Sequence, residues 1–197
     1  MPEVALLFTL GAAASLIGDH SHVATGTTEY LTDAVPFIWS SPIWFPLAVG
    51  AATVSLAELR LRLRVPRESV TARQGLAGVA AVIGIYVITA LEHTAPAVPA
   101  TVLIYALAVI TWCVLGDGPG AVCGVLAAIV GPIVEAVIAA AGLARYADDS
   151  NGLFGVAPWL PALYFAFGVV VGVLAEIAAK DREPSVRSSV SGTPAPS

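Results

Sequence analysis

A chain of 197 residues in which 57% are hydrophobic and only 12% charged lies far outside the soluble range, and a mean hydropathy of +0.85 makes lipid its solvent. Nine Lys and Arg against fourteen Asp and Glu leave a net charge of −5, which excludes a nucleic-acid binder for want of a basic surface. The two cysteines, Cys113 and Cys123, sit in apolar stretches without CxxC spacing or nearby His, so neither a disulfide scaffold nor a thiol metal site is expected.

Apolar runs near the twenty residues needed to cross the hydrocarbon core cover residues 4–18, 37–59, 74–91, 99–115, 121–143 and 159–179. The first ends at Asp19-His20-Ser21-His22. Ala12-Ala13-Ala14 resembles a signal-peptidase site, but Glu3 stands where a basic start belongs, so the run is read as a retained helix. Arg60, Arg62, Arg64, Arg67 and Arg73 fall between runs two and three, and Lys180, Arg182 and Arg187 follow run six; Arg145 alone lies on the other side. Because cytoplasmic loops collect Lys and Arg, both termini are expected in the cytoplasm. The expected fold is therefore all-α: a polytopic bundle of six transmembrane helices over residues 1–180, then a disordered cytoplasmic tail over 181–197, rich in Ser and Pro. The Arg-rich segment reads as a topology determinant able to touch anionic headgroups.

An ionisable side chain within a span is costly enough to mark a site, and Glu135 in run five, three residues after Pro132, is the clearest case. The proline frees backbone carbonyls and opens space, and a buried carboxyl can carry its proton and donate to a ligand oxygen. Glu58 and Glu176 lie close in sequence to Arg60 and Lys180, so local pairing accounts for them. No Lys or Arg falls within any run, which favours a neutral amphiphile over a phosphate or carboxylate ligand. Asp19, His20 and His22, with Glu92 and His93, face outward on this topology; nothing in their spacing forces them together, and no metal is expected. There is no GxSxG, HExxH or phosphate-cradling glycine loop. Gly116-Asp117-Gly118-Pro119-Gly120 reads as a tight turn. No catalytic residue, enzyme activity or cofactor is expected. Gly168-x-x-x-Gly172 and Gly120-x-x-x-Gly124 permit close helix contact, within the chain or in a homo-oligomer.

Ser40-Ser41-Pro42-Ile43-Trp44-Phe45-Pro46, followed by Gly50, resembles the Ser-Ser, Trp, Pro and Gly pattern of the Insig proteins. Trp159-Leu160-Pro161, then Phe165-Ala166, Gly168 and Gly172, is similar to the Insig stretch that opens and runs through the last helix. Gly84-Ile85 and Trp112 keep the family's separation between these. The resemblance covers residues 4–179 and, with the Ala/Val/Gly-rich composition, implies a bacterial homologue in the inner membrane. It implies a sterol-sensing regulator, without catalysis, that binds lipid within the bundle. Sterol-contacting positions of the family fall on Val82, beside Gly84, and on Trp112; its Gln at the start of span four is Pro99 here. Its partner-binding Asp falls near Asp117, and a polar residue of its fifth span falls near Glu135.

The leading expectation is a non-enzymatic Insig-like protein holding a neutral lipid, a sterol or a diacylglycerol-like molecule, through Val82, Gly84, Pro99, Tyr105, Trp112, Pro132 and Glu135, with Asp117 for a protein partner and Gly168 and Gly172 for self-association. The alternative is a small proton-coupled transporter using Glu135, with prolines 46, 99, 132 and 161 breaking or kinking its helices.

Overall fold

The computed structural model describes residues 2–180; the expected tail, 181–197, lies outside them. Six long helices account for most of the chain: α1 (Pro2–Thr25), α2 (Trp44–Leu63), α3 (Ala72–Leu91), α4 (Ala97–Leu115), α5 (Gly118–Ala140) and α6 (Leu160–Lys180). Five are long and apolar enough to cross a membrane, and the chain is a polytopic membrane protein. The remaining one, α2, has the length but carries Glu58, Arg60 and Arg62 in its last two turns.

The helix bounds depart from the apolar runs for local reasons. α1 continues through Asp19, His20 and His22 to Thr25, because Asp19 and His22 find partners inside the bundle and need no water. Residues 37–42 do not begin α2: β2 (Phe37–Ile38) and β3 (Ser41–Pro42) pair as a tight hairpin, and the helix starts at Trp44. α5 starts at Gly118 because the Asp117 carboxylate caps it, accepting from Gly120 N at 2.8 Å, and Pro119 suits its first turn; it stops at Ala140, just ahead of Gly142 at φ +69°. Thr71 and Gln74 form a reciprocal capping box at the start of α3. Pro46, Pro99 and Pro161 likewise occupy first turns, where a missing N–H costs nothing; they open helices and do not break them. Pro132 alone lies in a helix interior, and α5 is continuous through it.

α6 is the axis of the bundle, packing on α2, α3, α4 and α5, while α1 packs on α2 and α3. Its small residues let the neighbours close in. A Cβ on Gly168 would lie 2.5 Å from the Cys123 carbonyl oxygen, and one on Gly172 would meet Arg60 and Gly120. The Gly168/Gly172 and Gly120/Gly124 faces therefore meet each other inside one chain, and Gly168 and Gly172 do not offer an oligomer surface.

The two ends of the bundle are built differently. At the hairpin end, β1 (Thr28–Tyr30) pairs antiparallel with β4 (Ala144–Tyr146), tying the α1–α2 connection to the α5–α6 connection, and Arg145 binds Glu29 at 2.6 Å across the pair. At the basic end, Arg60 is fully buried, so a cation does lie within a helix. It binds Glu176 at 2.5 Å and Asp117 at 2.9 Å, while Arg67 binds Glu176 at 2.7 Å and donates to the Leu115 and Gly116 carbonyls. Glu176 thus pairs across helices with Arg60 and Arg67, not with Lys180, which donates to the Glu68 and Val70 carbonyls. Glu58 is exposed. The hydrogen bonds that Arg67 donates to the Glu176 carboxylate hold its guanidinium above its ordinary value.

Candidate functional site

Two carboxyl groups near the hairpin end, Asp19 buried and Glu135 half-buried, anchor a polar cluster in an apolar setting. Glu135 projects from α5 a turn and a half before its end. It accepts one hydrogen bond from the Tyr164 hydroxyl of α6 at 2.7 Å and one from the Tyr146 hydroxyl of β4. Asp19, on α1, accepts from the Tyr30 hydroxyl at 3.0 Å to each oxygen and from the Ser41 hydroxyl. His22, one turn on, shares a 2.8 Å bond between Nε2 and Thr89 Oγ1 and meets the Tyr86 ring edge-on at 4.6 Å. Burial pushes the Tyr30 and Tyr146 hydroxyls up from their ordinary value, and the neighbouring carboxyls add to it. Both stay protonated and act as donors.

Glycines seat two of these rings. A Cβ on Gly131 would fall 2.4 Å from the Tyr164 ring, and one on Gly18 would fall 1.9 Å from that of Tyr86. Each tyrosine lies flat against a bare stretch of neighbouring helix, which fixes where its hydroxyl ends up.

Three spaces meet at this cluster, and Phe45 and Glu135 line all of them. A chamber of about 30 Å³ carries the polar groups, among them Asp19, His22, Tyr30, Tyr86 and Tyr146. A cavity of about 50 Å³ lies among α1, α2, α3 and α6, with Ser15, Val82, Tyr86 and Tyr164 in its wall. The largest, about 330 Å³, is a cleft between α2 and α5 with Tyr164 and Phe167 of α6 at its back. It exists because the facing positions, Ala48 and Ala52 on α2 and Ala127 and Gly131 on α5, are too small to fill the gap. Glu135 and Tyr164 are polar, Trp44 and Ser55 add two polar tips, the rest is hydrocarbon, and no Lys or Arg lines any of the three.

Of the residues singled out from sequence, Val82 and Glu135 come together in this system. The other five lie elsewhere. Pro132 lines a groove on the far side of α5, Tyr105 lies 44% exposed on the outward face of α4, and Pro99 is exposed in that helix's first turn. Gly84 faces open space. Trp112, at the basic end, donates from Nε1 to the Asp117 carbonyl at 3.1 Å. Asp117 itself is committed to capping α5 and to Arg60. Asp19 and His22, expected in the aqueous outer loops, are buried in the bundle; His20 stacks on Trp39 and bonds to Ser40. Among the described residues no three His, Cys, Asp or Glu converge as metal ligands. Tyr30, Tyr86, Tyr146 and Tyr164 escaped the sequence reading. Their signal was four phenols in or beside apolar spans, each needing a partner that only the folded arrangement supplies.

No family profile matches the chain. It is 63% identical over 195 residues to an INSIG protein homologue of Mycolicibacterium vanbaalenii, covering 98% of this chain and 96% of that one. The crystal structure of a mycobacterial Insig homologue from Mycobacterium vanbaalenii superposes with a TM-score of 0.91 at 64% identity, over 92% of this chain and 96% of that one. A cross-linked trimer of a cysteine variant of that homologue superposes equally well, with a TM-score of 0.91 at 63% identity and the same coverage.

Proposed function

This chain belongs to the Insig family, and we propose that it holds one neutral lipid, a sterol or a diacylglycerol-like molecule, in the cleft between α2 and α5, as a sensor or regulator without catalysis. The observation that carries this reading is the polar seat in that cleft: one carboxyl, flanked by tyrosine hydroxyls, in an otherwise mostly apolar and cation-free lining. A lipid gains little by leaving the bilayer for the cleft, since it was already out of water, so selectivity rests on shape and on these few polar contacts. A lipid hydroxyl can donate to a remaining lone pair of Glu135 or to the Tyr164 hydroxyl oxygen, whose own proton is given to Glu135. A phosphate headgroup would bring a negative charge beside a half-buried carboxyl with no cation to pair it, and is disfavoured on that ground.

Glu135 lies five residues before Ala140, about 7.5 Å along the helix at 1.5 Å per residue. The lipid hydroxyl then sits near the hairpin end, and its chain runs toward Ser55 and Leu56 in the middle of the bundle. With the arginine-rich end cytoplasmic and the protein in a bacterial inner membrane, the lipid is drawn from the outer leaflet. Likeness to the cross-linked trimer supports self-association of this chain as well.

A photoreactive diacylglycerol analogue in phosphatidylcholine nanodiscs tests the reading. Labelling of α2 and α5 is expected in the parent protein. Glu135→Leu removes a half-buried hydrogen-bonding group worth about 1–3 kcal/mol, so labelling should fall by roughly tenfold. Equal labelling of parent and variant would remove Glu135 from the site.

A further inference from the structure

Two hairpins at the same end of the bundle carry an aromatic residue where the backbone favours something else. Leu153 and Val156 exchange both backbone hydrogen bonds, at 2.8 and 3.0 Å, and the two residues between them, Phe154 and Gly155, lie at φ +51° and +85°. That is the sign pattern of a type I′ turn, whose first position suits Asn, Asp or Gly because a Cβ there crowds the backbone. Phe154 takes that position with 90% of its surface exposed, so no packing within the chain offsets the strain. The hairpin of β2 and β3 also carries an exposed aromatic residue at positive φ, although there only the first of the two tip residues lies in that region. Trp39 at its tip has φ +58° and is 67% exposed, with its ring stacked on His20, while Phe37 and Ile38 beside it are exposed too.

Strain kept at an exposed bulky side chain points to a contact outside the chain. The position of Phe154 says which. It lines a groove of about 580 Å³ with Ile129, Ile133 and Val137 of α5, three exposed apolar residues of a membrane-spanning helix. The apolar band of α5 therefore continues without a break into the tip of the loop, and Phe154 hangs beside the span. No charged residue lines the groove. We propose that Phe154 and Trp39 are interfacial anchors: both tips seat in the headgroup–acyl boundary of one leaflet, as aromatic belts do, and hold the hairpin end at fixed depth. The occupant of this surface is the lipid interface itself.

Nitroxide labels report the answer directly. In a Cys113→Ser background, which leaves only the buried Cys123, Phe154→Cys, Trp39→Cys and Asp148→Cys are labelled singly in phosphatidylcholine nanodiscs. Asp148 is an exposed residue of the same connection as Phe154. At 154 and 39, collision with oxygen should exceed collision with a water-soluble nickel complex several-fold; at 148 the order should reverse. Nickel dominance at either tip overturns the proposal. Exclusion of both reagents together with spin–spin broadening overturns it too, because a second copy would then cover the tips. Phe154→Asn, which suits the turn, should keep the parent's thermal midpoint in detergent; a large fall would assign Phe154 to folding instead.

Discussion

Glu135 accepts hydrogen bonds from two tyrosine hydroxyls that arrive on different elements, one from α6 and one from β4, so a single carboxyl joins the transmembrane core to the loops above it. Asp19 does the same with Tyr30 and Ser41. These phenols set an alkaline limit. Tyr30 and Tyr146 keep their protons in the folded chain above the ordinary value of 10.0, mainly because burial disfavours the phenolate. The unfolded chain loses those protons first, so stability from these groups is intact below pH 10 and falls as pH rises past it. Thermal midpoints in detergent should be flat with respect to these groups from pH 8 to about 9.5 and decline above 10, while absorbance titration should find fewer ionised tyrosines in the folded protein than in the unfolded one. A full complement of tyrosinate appearing at pH 10 with the fold intact would contradict the buried network.

Between helices, charge and bulk are placed in opposite ways at the two ends. At the basic end Arg60, Arg67, Asp117 and Glu176 bind α2, the α4–α5 turn and α6 into one block. Glu176→Ala leaves Arg60 buried and poorly compensated, a loss of about 3–5 kcal/mol that should show as a marked fall in unfolding midpoint. Where α5 crosses α6, bulk is the constraint. Gly168→Val pushes a side chain into the Cys123 carbonyl and should cost about 1–3 kcal/mol or more. Gly84→Ala meets nothing within 4 Å and should be neutral or stabilising by up to about 1 kcal/mol from helix propensity. Equal effects of the two glycine substitutions would refute the assigned packing. The element scale is also where sequence was most informative. Five apolar spans and the place of Glu135 within one of them were legible, because hydropathy and an intramembrane carboxyl are local properties. The hairpin at residues 37–42 was not, because its residues are as apolar as a span and only the tertiary pairing decides. Nor was the pairing of Glu176 with Arg60, 116 positions apart, since proximity in sequence to Lys180 suggested a nearer partner.

Taken as a whole, the molecule is stiff at one end and open at the other. The ionic block closes the basic end of the bundle, and small residues bring α5 onto α6. Away from that block the gap between α2 and α5 widens into the cleft, and the polar seat lies near its hairpin end. The proposed lipid, entering sideways, would meet apolar wall along its chain and one hydrogen-bonding cluster at its hydroxyl. On the function proposed above, lipid occupancy would set whether α2 and α5 are bridged. Mass spectrometry of lipids retained by the protein, gently purified from its host membrane and compared with the bulk extract, tests this most directly. The account predicts one neutral hydroxylated lipid enriched to near one per chain in the parent and lost in Glu135→Leu; lipids retained in bulk proportion, alike in both proteins, would contradict it.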